Sequence, residues 1–232
     1  MSYTYSSFVA ALAVEMVVSA TDADLVSALP QIIDDAEQRC YRELDLLGTI
    51  VRDTTGVTVA NSRNFALPTS LGRFVVVEGV NVIPSGTRIP LVAMSREAMD
   101  MFWPSELAAT SAVYPTSYAM LTDQTILLGP PPGSIQQMEI IGTIRPNALS
   151  ASNTTSFLSL YLSDLFFSAA MVSAAGYMKN YGAQADEPKM AVSWEQMFQT
   201  RLQSANREEA RKKYGSSSWT SKAPVQAQPE RG

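Results

Sequence analysis

The stretch that decides the fold is RPNALSASNTTSFLSLYLSDLFFSAAMVSAAGYM, residues 145–178. Its polar part, residues 150–156, supplies side chains that typically cap a helix. The part that follows predicts a helix from about Phe157 to Asn180 that is apolar on nearly every face. A helix that is apolar all round is a buried one, so we expect other helices or neighbouring subunits to enclose it. The residues expected at such a subunit interface are Leu160, Asp164, Phe167 and Met171.

Asp164 is an ionisable residue in the middle of this apolar helix. A buried carboxylate needs a partner, and we expect an ion pair with Arg39, Arg42 or an arginine of a neighbouring subunit. Residues 157–175 are also long enough to span a membrane. However, Asp164, the four serines and the lack of flanking basic or aromatic clusters favour a buried helix.

The first 48 residues have the pattern of helices. Apolar residues first recur at helical spacing at Tyr5, Phe8, Val9, Leu12 and Met16. Thr21–Asp24 has the composition of a helix start, and Pro30 predicts a new first turn. One apolar stripe then follows, at Ile33, Ala36, Cys40, Leu44 and Leu47. We expect Gly48 to end this helix and Cys40 to be a small core residue.

Between Thr49 and Asn147 the apolar period changes to two, which is typical of an antiparallel β unit. We predict two hairpins, one across Glu78-Gly79 and one across residues 122–124. Further strands are expected at residues 88–92 and 137–144, and a short helix at residues 95–102. The expected packing is a small sandwich or barrel.

Downstream of the apolar helix, Gly182 predicts a break and Pro188 opens a further helix. Its apolar stripe includes Met190, Trp194, Met197, Phe198, Leu202 and Ala205. The final segment, residues 215–232, is rich in Ser, Pro and Gln, and is expected to be disordered by itself. Trp219 has no core of its own to enter there, which is typical of an anchor at an interface.

Composition excludes several chemistries. The chain has 232 residues, a net charge of −5, one cysteine and no histidine. Without imidazole there can be no Ser-His-Asp or Cys-His pair and no His-based zinc site, and one cysteine allows no intrachain disulfide. The paired acids indicate solvated helix faces, and Glu208 and Glu209 offset the basic cluster of residues 207–213. We therefore expect no catalytic, metal or cofactor site and no dedicated binding of duplex nucleic acid.

Together these patterns predict an α+β protein with four segments. Residues 1–48 and 150–214 form a helical bundle, into which the β-rich domain of residues 49–149 is inserted as a sandwich or barrel. Residues 215–232 form a flexible C-terminal tail. The first 48 residues carry a net charge of −6, whereas residues 184–232 carry +2, so the two ends are weakly complementary.

The order of three motifs resembles the head-to-tail adaptor (connector) proteins of tailed bacteriophages. The motifs are LPQIIDDAEQRCYRELDL (29–46), YPTSYAMLTDQTILLGPPPG (114–133) and the entry into the apolar helix, RPNALSASNTTSF (145–157). The resemblance spans about residues 3–205. None of the motifs is catalytic, so the resemblance implies a structural component of the virion.

The resemblance also implies an assembly. Such proteins form a ring, commonly of twelve copies, that joins the portal to the tail and leaves a channel for genome DNA. The expected partners are the portal protein, further copies of the chain and a tail nozzle, tail-terminator or other neck protein, with no membrane. Assembly would take place in the host cytoplasm. The C-terminal segment would clasp the portal, with Tyr214, Trp219, Lys222 and Val225 as the expected contact residues.

Two alternatives stay open at the level of sequence. The chain could be another neck or tail protein that docks a tail partner through its β domain. It could also be a glycan hydrolase, which would need two carboxylates roughly 5–9.5 Å apart across a cleft.

Overall fold

The computed structural model describes residues 2–108, 110–111, 113–177 and 188–216. The chain divides into two compact units, Met1–Leu47 with Leu149–Gly232, and Gly48–Ala148. Over the described residues the structure contains six α-helices and two four-stranded sheets, which confirms the α+β class. Among these residues no sheet closes into a barrel.

The helical unit contains α1 (Tyr5–Glu15), α2 (Ala23–Glu43), α4 (Phe157–Tyr161), α5 (Ser163–Tyr177) and α6 (Pro188–Ser216). Its core joins residues of α1, α2, α5 and α6. Phe8 of α1 stacks on Phe166 of α5 with ring centroids 4.5 Å apart. Cys40 is a free, fully buried thiol, as predicted, and burial raises its pKa to about 12.

The predicted helix start at Thr21–Asp24 is confirmed, whereas the predicted new first turn at Pro30 and the predicted end at Gly48 are wrong. Pro30 lies inside the helix and is exposed. Proline has no N–H to donate to the carbonyl one turn earlier, and on an exposed face water can bond that carbonyl instead. Asp22 caps the true start, because its Oδ1 accepts the N–H groups of Asp24 and Leu25 at 3.0 Å. The helix ends at Glu43 rather than Gly48, since Leu44 turns to extended backbone with its side chain in the core.

The predicted single helix from Phe157 is also wrong, because the backbone breaks at Leu162 and separates α4 from α5. Asp164 therefore lies in the first turn of α5, where the helix dipole favours a carboxylate. Its side chain is 68% exposed, with Arg201 Nε at 3.9 Å. The expectations of a buried Asp164 and of a pairing with Arg39 or Arg42 are thus corrected.

Over its described residues, the β unit contains eight strands and the short helix α3 (Arg96–Phe102). The strands are β1 (Ile50–Asp53), β2 (Asn64–Ala66), β3 (Gly72–Ile83), β4 (Ile89–Pro90), β5 (Val92–Ala93), β6 (Ser117–Thr122), β7 (Thr125–Gly129) and β8 (Gln137–Pro146). The sheets have the orders β1-β8-β3-β4 and β2-β7-β6-β5, and one buried apolar cluster draws side chains from both. The paired strands of both sheets run antiparallel, except that β5 and β6 run parallel. The predicted hairpin of β6 and β7 and the predicted short helix are confirmed.

The predicted hairpin across Glu78-Gly79 is wrong, since β3 runs unbroken from Gly72 to Ile83. Its register against β8 shifts twice, between Phe74 and Val76 and between Val77 and Gly79. These bulges bend the strand without reversing it. Opposite them lies Gly142 of β8, where an added side chain would run into the carbonyl oxygen of Val76.

Candidate interaction surfaces

The buried carboxylates of the described residues hold structure together. Glu139 of β8 is fully buried and accepts hydrogen bonds from Asn81 Nδ2 at 2.8 Å and Arg88 Nε at 2.9 Å. Burial alone would raise the pKa of Glu139, but these hydrogen bonds and nearby Arg52 bring it below its ordinary value. Over the part of the chain that the structure describes, no three acidic, Cys or His side chains form a possible metal site.

Glu37 joins α2 to the segment that enters the helical unit from the β unit. It is buried, and the backbone N–H of Leu149 donates to both carboxyl oxygens at 3.2 and 3.3 Å. The Ser156 hydroxyl donates to the same carboxyl. Burial nevertheless raises the pKa of Glu37 to about 7, with a smaller contribution from Asp34. This carboxyl therefore changes its charge near neutral pH.

A partly buried ion pair fastens α6 to α2. The Arg39 guanidinium donates to both oxygens of Glu195 at 2.6 and 2.7 Å, and stacks over the Phe198 ring at 4.0 Å. The hydrogen bonds from Arg39 lower the pKa of Glu195 to about 2. Planar two-point contact of this kind suits arginine better than lysine.

The C-terminal end of α6 carries a shallow groove of about 390 Å³. Lys213 pairs with Asp45, and the buried Glu209 accepts the backbone N–H of Leu47 at 3.0 Å. Tyr214 lines the groove and is 73% exposed. The end of α6 is thus bound to the residues that follow α2, while its aromatic residue faces outward.

Three loops of the β unit are joined to one another by hydrogen bonds, and together with the neighbouring helix α3 we call them the loop face. Hydrogen bonds of 2.8 Å join Asn61 N to the Pro132 carbonyl and Gly133 N to the Val113 carbonyl. The exposed apolar residues of the loops and of α3 beside them are Val57, Val59, Met101, Phe102, Leu107, Tyr114 and Ile135. Exposed apolar patches of this kind mark interaction sites.

The sequence offered a signal for this surface that the prediction did not use. In the seven-residue helix α3, Met99 is buried, whereas Met101 and Phe102 are exposed. This two-turn helix has more apolar residues than fit on its one buried face, so some must be exposed. Excess apolar residues in a short helix therefore point to a docking surface.

The structure separates the predicted interface residues. Phe167 and Met171 lie in the core of their own chain, whereas Leu160 and Asp164 are exposed. In this conformation only the latter two have surface to offer another subunit. Of the predicted portal contacts, Tyr214 is exposed at the end of α6, and Trp219, Lys222 and Val225 lie outside the described residues.

None of the helices among the described residues combines the length and apolar character that a membrane crossing requires. The family model described as SU10 adaptor protein matches residues 3–224, nearly the whole chain. This match confirms the resemblance drawn from the order of the motifs. No curated protein matches the chain.

Proposed function

The chain belongs to the SU10 adaptor protein family of phage structural proteins, and we propose that it is the head-to-tail adaptor that joins the portal to the tail. The single observation that carries this proposal is the family match over residues 3–224. Membership implies association with other head or tail proteins and points to the virion. The finer proposal is a ring of twelve copies in the neck, with a channel through which genome DNA passes.

The surface of the subunit supports a role in assembly. Met101, Leu107 and Ile135 of the loop face are each about two thirds exposed or more, and exposed apolar side chains grouped in this way are typical of interaction sites. The net charge of −5 suits a channel that lets DNA pass without gripping it. The family is a structural one, and the proposal assigns no catalytic step to the chain.

The C-terminal segment is proposed as the portal clasp. Helix α6 ends at Ser216, so the segment begins at residue 217, three residues after the exposed Tyr214. Trp219, Lys222 and Val225 supply an aromatic anchor, a charge and an apolar contact in a polar stretch, which is the composition of a short docking peptide.

The test is mass photometry and cryo-electron microscopy of the purified chain, alone and with the portal of the same phage. We expect rings that bind the portal. Deleting residues 217–232, which leaves α6 intact, should weaken portal binding and spare the ring; Trp219→Ala should do the same more mildly. A chain that stays monomeric and ignores the portal at micromolar concentration would contradict the proposal.

The loop face favours a second candidate, a neck or tail module that docks a tail partner through its β unit. Met101→Ser with Phe102→Ser should then abolish binding to tail proteins, while the 217–232 deletion leaves that binding unchanged. Val75→Ser is the matched control, because Val75 is an exposed valine of the β unit on strand β3. Equal tail binding by the double variant and the control would remove this candidate.

A further inference from the structure

The turn between α1 and α2 exposes a group of valines. Val14 and Val17 are 75% and 90% exposed, and Val18 and Val26 are also exposed. All four lie within the last turn of α1, the connection and the first turn of α2. We call this group the valine turn. Among the described residues of its own unit, the side chains of Val14 and Val17 are largely uncovered, so these side chains contribute little to the stability of the subunit.

The backbone of the valine turn makes the choice of Val17 unusual. Val17 has φ of 56°, in the left-handed region that glycine tolerates and a β-branched residue does not. The Val18 N–H donates to the Ala13 carbonyl at 3.0 Å, which closes the end of α1 in the way usually seen with glycine. Glycine would therefore fit the backbone at position 17 better, and the stability of the subunit does not explain why a valine side chain is present there.

The charge around the valine turn limits what can cover it. Residues 1–38 contain six acids and no Lys or Arg. Glu15, Asp22 and Asp24 flank the exposed valines and are themselves exposed. A surface that covers the turn should therefore combine an apolar or aromatic group with positive charge.

The end of α6 has that composition. Arg207, Arg211 and Tyr214 follow one another at spacings of four and three residues, so they share one face of the helix, and all three are exposed. The two neighbouring lysines are paired within the unit, Lys212 with Glu208 and Glu209 and Lys213 with Asp45. The two arginines thus supply the excess positive charge of this end, which we call the arginine face.

The two surfaces cannot meet within one chain. The valine turn precedes α2, whereas the arginine face lies beyond its other end, where Lys213 and Glu209 contact residues 45–47. Helix α2 has 21 residues and is about 30 Å long. Complementary surfaces at opposite ends of one unit fit a head-to-tail contact between copies, which closes into a ring when the rotation allows.

We propose that the valine turn of one copy packs against the arginine face of the next, with Tyr214 on the valines and Arg207 and Arg211 beside Glu15. This contact rests on the proposed ring and names the surfaces that build it. Because its charge pairs lie at the rim, salt should weaken it.

The first test is Val17→Gly in the full chain. Glycine suits the backbone at this position, so the melting temperature of the subunit should stay equal or rise. Loss of the exposed side chain should weaken assembly at least about fivefold. Val75→Ser, which removes an exposed valine of strand β3 outside both surfaces, is the control. A variant that assembles as well as the wild type would overturn the contact.

The second test reverses charge on each surface. Glu15→Lys and Arg211→Glu should each assemble about tenfold less well or worse, because like charges then face each other. Mixing the two variants should restore assembly, since each introduced charge meets its opposite in the other chain. Asp35→Lys, an equal change at an exposed site within α2, should have little effect.

The outcomes separate the two levels of the proposal. A wild type that stays monomeric overturns the ring and this contact together. A wild type that assembles while both reversed variants assemble equally well overturns the contact and leaves the ring. Reversed variants that fail alone but assemble when mixed support both.

Discussion

Replacing Glu37 by glutamine should remove a pH dependence of stability that the buried carboxyl creates. The pKa of Glu37 is about 7 in the folded chain against an ordinary 4.5. The folded state therefore holds this proton more tightly than the unfolded state. Its contribution to stability is fully present below pH 4.5 and is lost as the pH rises to about 7.

The size of the effect follows from the two pKa values. Each pH unit between them corresponds to about 1.4 kcal/mol, so the ionised carboxyl costs the folded wild type roughly 3 kcal/mol above pH 7. Glutamine keeps an oxygen that accepts from the Leu149 N–H, its amide N–H₂ takes the place of the O–H of the protonated carboxyl as a donor towards the Ser156 oxygen, and it stays neutral. Glu37→Gln should match the wild type near pH 4.5 and exceed its free energy of unfolding by up to roughly 3 kcal/mol at pH 8.

The assay is urea unfolding at several pH values from 4.5 to 8, followed by helical circular dichroism at a concentration where the chain is monomeric. This signal reports the unit that contains α2 and α6. Asp35→Asn is the control, because it removes an exposed carboxyl two residues away in α2. A difference between Glu37→Gln and wild type that stays constant over this pH range would refute the reasoning.

Three further changes probe other contacts. Glu195→Gln breaks the ion pair with α2 and should cost about 1 kcal/mol at pH 7, because the side chain is 37% exposed and screened by solvent. The pKa of Glu195 lies below its ordinary value, so urea unfolding should show this cost vanish as the pH falls from 4.5 towards 2. Gly142→Ala should destabilise the β unit by about 1–3 kcal/mol through its clash with the facing strand, whereas Gly79→Ala, which meets nothing within 4 Å, should leave the thermal midpoint nearly unchanged. Asp22→Ala removes the cap of α2 and should cost about 1 kcal/mol in urea; an equal midpoint would contradict the cap.

Local patterns predicted those elements whose partners lie nearby in the chain. The β6–β7 hairpin follows from alternation on both sides of the predicted turn at residues 122–124, of which Asp123 and Gln124 form the connection, and α3 follows from Ser95 and its short apolar run. The predicted end of α2 was wrong because the apolar stripe from which it was predicted continues through Leu44, where the backbone is already extended. Here burial in the core, rather than propensity, decides where the helix stops.

The candidate surfaces were less predictable. Exposure of Tyr214 follows from its place in a charged helix end, but Phe167 and Met171 were expected to meet other subunits and instead fill their own core. Composition predicts that an apolar helix must be buried, but it cannot show whether the residues that bury it belong to the same chain or to another subunit. That distinction depends on how α1, α2 and α6 pack around α5.

Residue types and their spacing were enough to predict the α+β class, the buried Cys40, the absence of imidazole chemistry and the resemblance to phage adaptors. All of these depend on composition or on order along the chain. Only the folded arrangement shows the bulged β3 opposite Gly142, the raised pKa of Glu37, and the exposed valine turn at the far end of α2 from the arginine face. These arise where segments distant in sequence meet or are held apart, and local periodicity carries no information about that distance.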